Sequence, residues 1–342
     1  YYVLTNSGIE LDRFFLVHIN PDYVLNGELN LRELFVFSDV THEAVSRQDF
    51  VKEQIAKSKE TVALKKSPAI DIGPQCHDPY PCDFIGHCWK HVPEKSVFGL
   101  RSFSREEQFE MYRQNRMDID MLDPASFSDP KKKTEVECIQ VKKDFFDPEG
   151  FNEVSAKMKP PLLFAGILAH RVAVPKWKGY KPFDLVPVSL SLVTEDDTLG
   201  KNYFNADKEA DPDPEFIRFI KNHTAGGGAI LAYDADHLQE LMSRIAERNP
   251  GEKDFITSLN VRIIDMKQVT NDFIYYHPGI ATDHTIFDLG TLLDFPNDEP
   301  PPFQSRILAV NDYLKTGKNP GVSVPFVRYT FIQAGLVKRF LQ

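Results

Sequence analysis

At 342 residues the chain is longer than one hydrophobic core normally organises, so two domains, or one domain with a substantial module, is the expectation. Apolar residues at 42% and charged residues at 26% are ordinary for a soluble globular chain, and no apolar run approaches the roughly 20 residues needed to cross a bilayer. A formal net charge of -10 argues against a surface given over to nucleic acid, although a local basic groove can coexist with an acidic total.

Four cysteines do not make a secreted disulfide scaffold, and there is no basic region followed by an apolar one of the signal-peptide kind. The cytoplasm is the default compartment. The chain opens on "YYVLTN" rather than on Met, which reads as a fragment or a processed piece.

In chain order, "RFFLVHIN" and the end of "GELNLRELFVF" are β-branched and aromatic runs bounded by turn formers, which predicts strands near 13–19 and 34–37. A helix follows, because Val51, Ile55 and Val62 recur at helical spacing; Thr41 is placed to cap its start and Pro68 to end it. Residues 69–95 carry Pro74, Pro79, Pro81 and Pro93 and read as a loop that something must hold. Between 96 and 158 the chain reads as a helical connector, with an amphipathic helix behind a capping box at Ser104 and Glu107. Beyond it, "LLFAGILAHRVAV", "DLVPVSLSLVT", "DPEFIRFIKNHT", "GGGAILAY", "DADHLQELMSRIAERN" and "SLNVRIIDM" read as strand, strand, helix, strand, helix, strand. That order is an α/β domain with a mixed sheet over 159–342.

Three of the four cysteines, Cys76, Cys82 and Cys88, fall at equal six-residue steps in "CHDPYPCDFIGHCW". Thiolates are soft ligands that select zinc or iron–sulfur clusters, and a proline-studded loop gains order from such a bond. Equal steps match neither a zinc ribbon nor a ferredoxin run, so three plain thiols remain an open reading. Zinc would take its fourth ligand from His77, His87 or His91, with Cys138 less suited because it sits in the connector.

The run "DIGPQCHDPYPCDFIGHCW", with the strands and helix before it, resembles the end of a RecB-like, PD-(D/E)XK nuclease module. The resemblance is to an uncharacterised bacterial family that couples this module to a DnaQ-like exonuclease domain. In such modules, related to the CRISPR-associated exonucleases, three C-terminal cysteines join one N-terminal cysteine around a 4Fe-4S cluster. The resemblance therefore implies that residues 1–95 are the truncated end of the module and that Cys76, Cys82 and Cys88 are cluster ligands. The fourth ligand, the metal-binding Asp and the Glu-x-Lys pair would lie in a missing N-terminal part of the parent protein.

The C-terminal half, through "PPLLF", "VPVSLSLV", "AILAYDAD", "VRIIDM" and "IYYHPGIATDHTIFDLGTLL", resembles a DnaQ-like exonuclease of the RNase H fold. Such enzymes hold two Mg²⁺ ions on four carboxylates, the first two as Asp-x-Glu on the first strand; the ions activate a water and neutralise charge on the phosphate. Gly166 and Leu168 stand at those two positions, and neither side chain binds a metal. Asp234, Asp236 and Asp283 are the candidates for a displaced site, with Asp265 and Asp288 further remnants, although Asp at strand ends and helix starts is commonly a cap.

Lesser features read as structural. "AGGGAI" lacks the Gly-Lys-Ser/Thr of a phosphate loop and precedes a strand. His277, Asp283 and His284 have no serine elbow beside them. Lysines 131–133, 142 and 143 could meet phosphates, and Tyr275 and Tyr276 could stack on bases, but alternation puts at least one tyrosine in the core. The expected function is that of a nucleic-acid-processing protein of a nuclease family, single-stranded DNA being the fitting partner, with a silent exonuclease-like domain serving binding or assembly. An active exonuclease with displaced acids and a non-catalytic partner-binding protein are the alternatives.

Overall fold

The computed structural model describes residues 1–194, 202–207, 209–233, 235–294, 330, 334, 336, 337, 340 and 341. The chain divides into two compact units, one of Tyr1–His91 with Ala173–Phe183 and one of Val92–Val172 with Asp184–Gln342. Among the described residues no helix is long and apolar enough to cross a membrane.

The first unit holds α1 (Tyr2–Asn6), β1 (Phe15–Ile19), α2 (Leu31–Leu34), β2 (Phe35–Asp39), α3 (Thr41–Ser46), α4 (Gln48–Val62) and α5 (Ile85–Cys88). β1 and β2 pair antiparallel from Phe15 opposite Asp39 to Ile19 opposite Phe35. Both strands lie where their aromatic and β-branched runs place them. A small core of Tyr23, Leu25 and Leu34 packs beside them, and residues 173–183 are tied in where Leu25 exchanges backbone hydrogen bonds with Gly179 and Tyr180.

The expected long helix is divided at Arg47 and stops at Val62, well before Pro68. Thr41 does not cap it: Val40 holds the cap position, and the Thr41 hydroxyl instead accepts from the Phe14 amide at 2.8 Å and donates to Asp39 at 2.6 Å. The hydroxyl ties the entry of β1 to the end of β2, a long-range use that local sequence does not display.

The second unit begins with α6 (Arg105–Arg113), α7 (Pro130–Val141), β3 (Phe145–Phe146) and α8 (Pro148–Ser155). It continues through β4 (Leu163–Val172), β5 (Asp184–Thr194), β6 (Tyr203–Asn205), α9 (Pro212–Thr224), β7 (Ile230–Ala232) and α10 (Ala235–Arg248). α11 (Lys253–Asn260), β8 (Ile263–Asp265), α12 (Lys267–Asn271), β9 (Tyr275–Tyr276) and α13 (Ile286–Leu292) complete the described elements. Helix starts are written in the sequence. The capping box of Ser104 and Glu107 opens α6, and Asp129, Asp147 and Asp211 cap α7, α8 and α9, each with a proline at the next position. Proline suits that position because its missing N–H would have no partner there in any case.

Five strands form one mixed sheet in the order β6-β5-β4-β7-β8. β5 runs antiparallel to β4 and β6, whereas β7 runs parallel to β4, and β8 parallel to β7. Both faces are covered, so β5 is buried along nearly its whole length. Leu163, Ala165 and Ile167 face a core shared with α9, α10 and α11; Leu162 and Phe164 face the opposite core, with Tyr233, Val269, Leu289, Ala334 and Val337. β4 is thus the central strand, and its even-numbered residues look toward the helical residues near the C-terminus.

Residues 92–158 form their own apolar cluster around Val97, Leu100, Phe103 and Val136. They join the rest of the unit where β3 pairs with β9 and where Arg101 donates to the Thr270 carbonyl at 3.3 Å.

Candidate functional site

The middle of β4 is where the sequence resemblance expects the first two metal-binding acids. Gly166 pairs with Ser191 and Leu168 with Ser189 across the antiparallel ladder, and a bulge follows at Ala169. Above this pair of serines sits Thr330, fully buried, whose hydroxyl bonds Ser191 at 2.8 Å and Ser189 at 3.2 Å. A Cβ built on Gly166 would overlap the Thr330 carbonyl oxygen and lie 2.7 Å from its carbon and 2.9 Å from the Ala334 amide nitrogen. The backbone of helical residues occupies the volume that a carboxylate at 166 would need. Beneath it, the Ser189 and Ser191 hydroxyls bond to Thr330, and Ser189 also donates to the Phe204 carbonyl at 3.2 Å.

Among the described residues the acids expected nearby are not grouped three together as a metal site would need. Asp234 lies outside the described residues; Asp236 is exposed in the first turn of α10, and Asp283 is exposed in the turn before α13. Asp265 accepts from the amides of Ala235 and Lys267 at 3.3 and 3.0 Å, and Asp288 forms a capping box with Thr285. Asp265 thus ends β8 with its carboxylate on two backbone amides, and Asp288 answers the Thr285 cap of α13. Among the described residues no three His, Cys, Asp or Glu side chains are grouped so as to hold a metal.

In the first unit the proline-rich loop turns at Pro74–Cys76, and the Cys82 amide donates to the Cys76 carbonyl at 2.9 Å, closing the first cysteine step on itself. Cys88 ends α5, and the next residue, Trp89, meets His77 edge-on with ring centroids 5.3 Å apart. Cys82 is exposed, Cys76 and Cys88 half-buried, and all three are free thiols. His87 and His91 are exposed. The backbone draws the loop together, yet the thiols are not grouped as a ligand set. Cys138 is unsuited as a thiolate donor: it is packed with Phe273 and Tyr276, and burial, followed by the charges of Glu137, Asp144 and Glu135, pushes its thiol up to about 11.

The lesser features also find their places. Lys131 pairs with Asp272 at 3.1 Å, Lys132 with Glu107 and Lys133 with Glu137, so this run is answered by carboxylates. Tyr276 is buried and Tyr275 half-buried, its hydroxyl 3.4 Å from Asp144. His277 accepts from the Gly279 amide, and His284 is buried with one ring nitrogen on the Ala281 carbonyl and the other on the Thr270 hydroxyl. Gly227 and Gly228 adopt φ of 74° and 80° in the turn that enters β7.

Sequence reasoning missed Glu135 and Thr330. Glu135 is fully buried and accepts from the amides of Arg101 and Ser102, both at 2.8 Å, and from the Ser102 hydroxyl at 2.5 Å. Inside "KKKTEVEC" it carries no mark distinguishing it from a solvated helix face.

Residues 169–283 match the model of a family described as a domain of unknown function, DUF2779. The matched stretch starts near the end of β4 and stops before α13, so it includes β5 to β8 but neither Gly166 nor Thr330. No curated protein and no solved structure matches the chain.

Proposed function

We propose that the chain is a nucleic-acid-processing protein of a nuclease family and that its RNase H-like domain is catalytically silent, serving binding or assembly. The observation that carries this reading is the contact between Gly166 and the backbone of Thr330 and Ala334. Two-metal hydrolysis needs carboxylates that clamp both ions, with room for the phosphate between them. The first of those carboxylates would stand at 166, where even a methyl group has no space. The central place of β4 in a mixed sheet, with antiparallel β5 on one side and parallel β7 on the other, agrees with the DnaQ-like resemblance.

The test uses the full chain with end-labelled single-stranded DNA over a titration of Mg²⁺ and Mn²⁺. No release of nucleotides is expected at any metal concentration. Processive, metal-dependent release would defeat the silent-domain reading and favour the displaced acids Asp234, Asp236 and Asp283.

The same proposal gives the cysteine loop a metal-holding role. Three thiols within one short loop supply soft donors; a zinc ion would complete its set with His77, His87 or His91, and a 4Fe-4S cluster would need a fourth thiolate. Iron, sulfide and zinc analysis of anaerobically purified protein decides between them. A preparation with none of the three would remove the metal from the proposal.

A further inference from the structure

Among the described residues β8 is the last strand in the sheet order, and its outer edge borders a cleft of about 1100 Å³. In a parallel pair, backbone groups point alternately toward and away from a given neighbour. Arg262 accepts from Ile230 and Met266 donates to Ala232, so Ile264 is the next residue bonded to β7 and Ile263 turns its N–H and C=O outward. An outward-facing strand edge is a template for another strand, and folded proteins usually cover or charge such an edge. Here it lies recessed between the end of α8 on one side and α10 on the other.

The cleft has a charge polarity along β8. Lys157 and Lys159, both exposed, stand at the end where β8 begins, since Lys159 accepts from Ala229 just before β7. Arg262 adds a third positive charge there, its guanidinium held by the carbonyls of Gly228 and Thr224 rather than by a carboxylate. Asp265 ends β8, and Asp236 stands in the helical turn that follows β7. Val261, 81% exposed, offers an apolar contact at the mouth.

We propose that this cleft binds an extended peptide segment of a partner protein, added antiparallel to β8, with basic residues in its N-terminal half and acidic residues in its C-terminal half. The antiparallel sense follows from the firmer hydrogen bonding of such pairs, and the charge order follows from the polarity of the walls. A nucleic-acid strand fits less well, because it has no backbone N–H to offer Ile263 and its phosphates would meet Asp236 and Asp265. A second copy fits less well too, because the walls flanking β8 would hold two recessed edges apart. The proposal rests on the assembly reading of the silent domain and names the kind of partner.

Fluorescence anisotropy with the full wild-type chain tests it. The probe is a labelled synthetic peptide of about ten residues, the length of an ordinary strand with short flanks, with two lysines, an alternating Val/Thr centre and two aspartates in that order. Controls are the same peptide with the charge order reversed, the same peptide N-methylated at alternate amides, and an oligothymidine of matched length. The first peptide is expected to bind at least about tenfold more tightly than either modified peptide, and Lys157→Glu with Lys159→Glu should cost it about tenfold, restored when its aspartates become lysines. Equal binding of the N-methylated or reversed peptide, no binding of any peptide, or tighter binding of the oligothymidine would each overturn the proposal. Metal-dependent cleavage of DNA by the same sample would overturn the assembly reading itself, so the two failures are told apart.

Discussion

The Tyr276 hydroxyl stands 3.4 Å from Glu135 Oε1, joining α7 to β9 through two groups that are almost wholly out of water. The carboxylate is otherwise spent on the amides of Arg101 and Ser102, and the Tyr276 phenol is pushed well above the ordinary range, first by burial and then by the Glu135 charge. Unpaired buried donors cost about 1–3 kcal/mol each. Glu135→Ala is therefore expected to lower unfolding free energy by about 3 kcal/mol or more in urea titration, and Tyr276→Phe by about 1 kcal/mol. Equal, small effects of both changes would mean that the carboxylate is not the anchor of residues 92–158.

A second anchor lies on the opposite core. Arg248, the last residue of α10, grips Asp213 in the first turn of α9 through two bonds of 2.8 and 3.0 Å, and Asn249 donates to the same carboxylate at 3.0 Å. Breaking one partner of a buried pair typically costs about 3–5 kcal/mol, because the other charge stays behind. Asp213→Ala should fall in that range by thermal or chemical melting.

Gly166→Ala is the most economical probe of the filled site. Overpacking usually costs about 1–3 kcal/mol, and here the obstacle is backbone, which yields less than a side chain. A lower melting temperature is expected, with no shift on adding Mg²⁺ even when Leu168→Glu is present. A Gly166→Asp, Leu168→Glu variant of unchanged stability that cleaved DNA with Mg²⁺ would contradict the steric account.

Thiol chemistry separates the cysteines. Cys138 holds its proton up to about 11, whereas Cys82 is exposed. Alkylation near pH 8 followed by mass mapping should modify Cys82 first and leave Cys138 untouched until the protein is unfolded. Because the folded thiol value is raised above its ordinary 9.0, the fold favours the protonated form. That contribution is fully present below pH 9 and is lost as pH rises through about 11, so stability should decline over that alkaline window.

Much of the architecture was written in local patterns. The β-branched and aromatic run of "RFFLVHIN" placed β1, "DLVPVSLSLVT" placed β5, and Ser104 with Glu107 formed the capping box their spacing implied. What stayed hidden was set by residues distant in the chain. Thr41 gives up capping because its hydroxyl meets Phe14, Glu135 is buried because two loop amides converge on it, and Gly166 reads as a lost ligand until Thr330 is seen resting on it. A side chain's local pattern cannot announce a partner that only tertiary packing brings near.

The seat of Thr330 on Gly166 also bears on how such a domain could change. Introducing a carboxylate at position 166 of β4 would first have to lift Thr330 and Ala334, unpairing the Ser189 and Ser191 hydroxyls from Thr330 and opening the apolar core around Ala334. The close fit works as a ratchet, holding the domain in its packed form and leaving its surfaces, rather than its centre, free to acquire new uses.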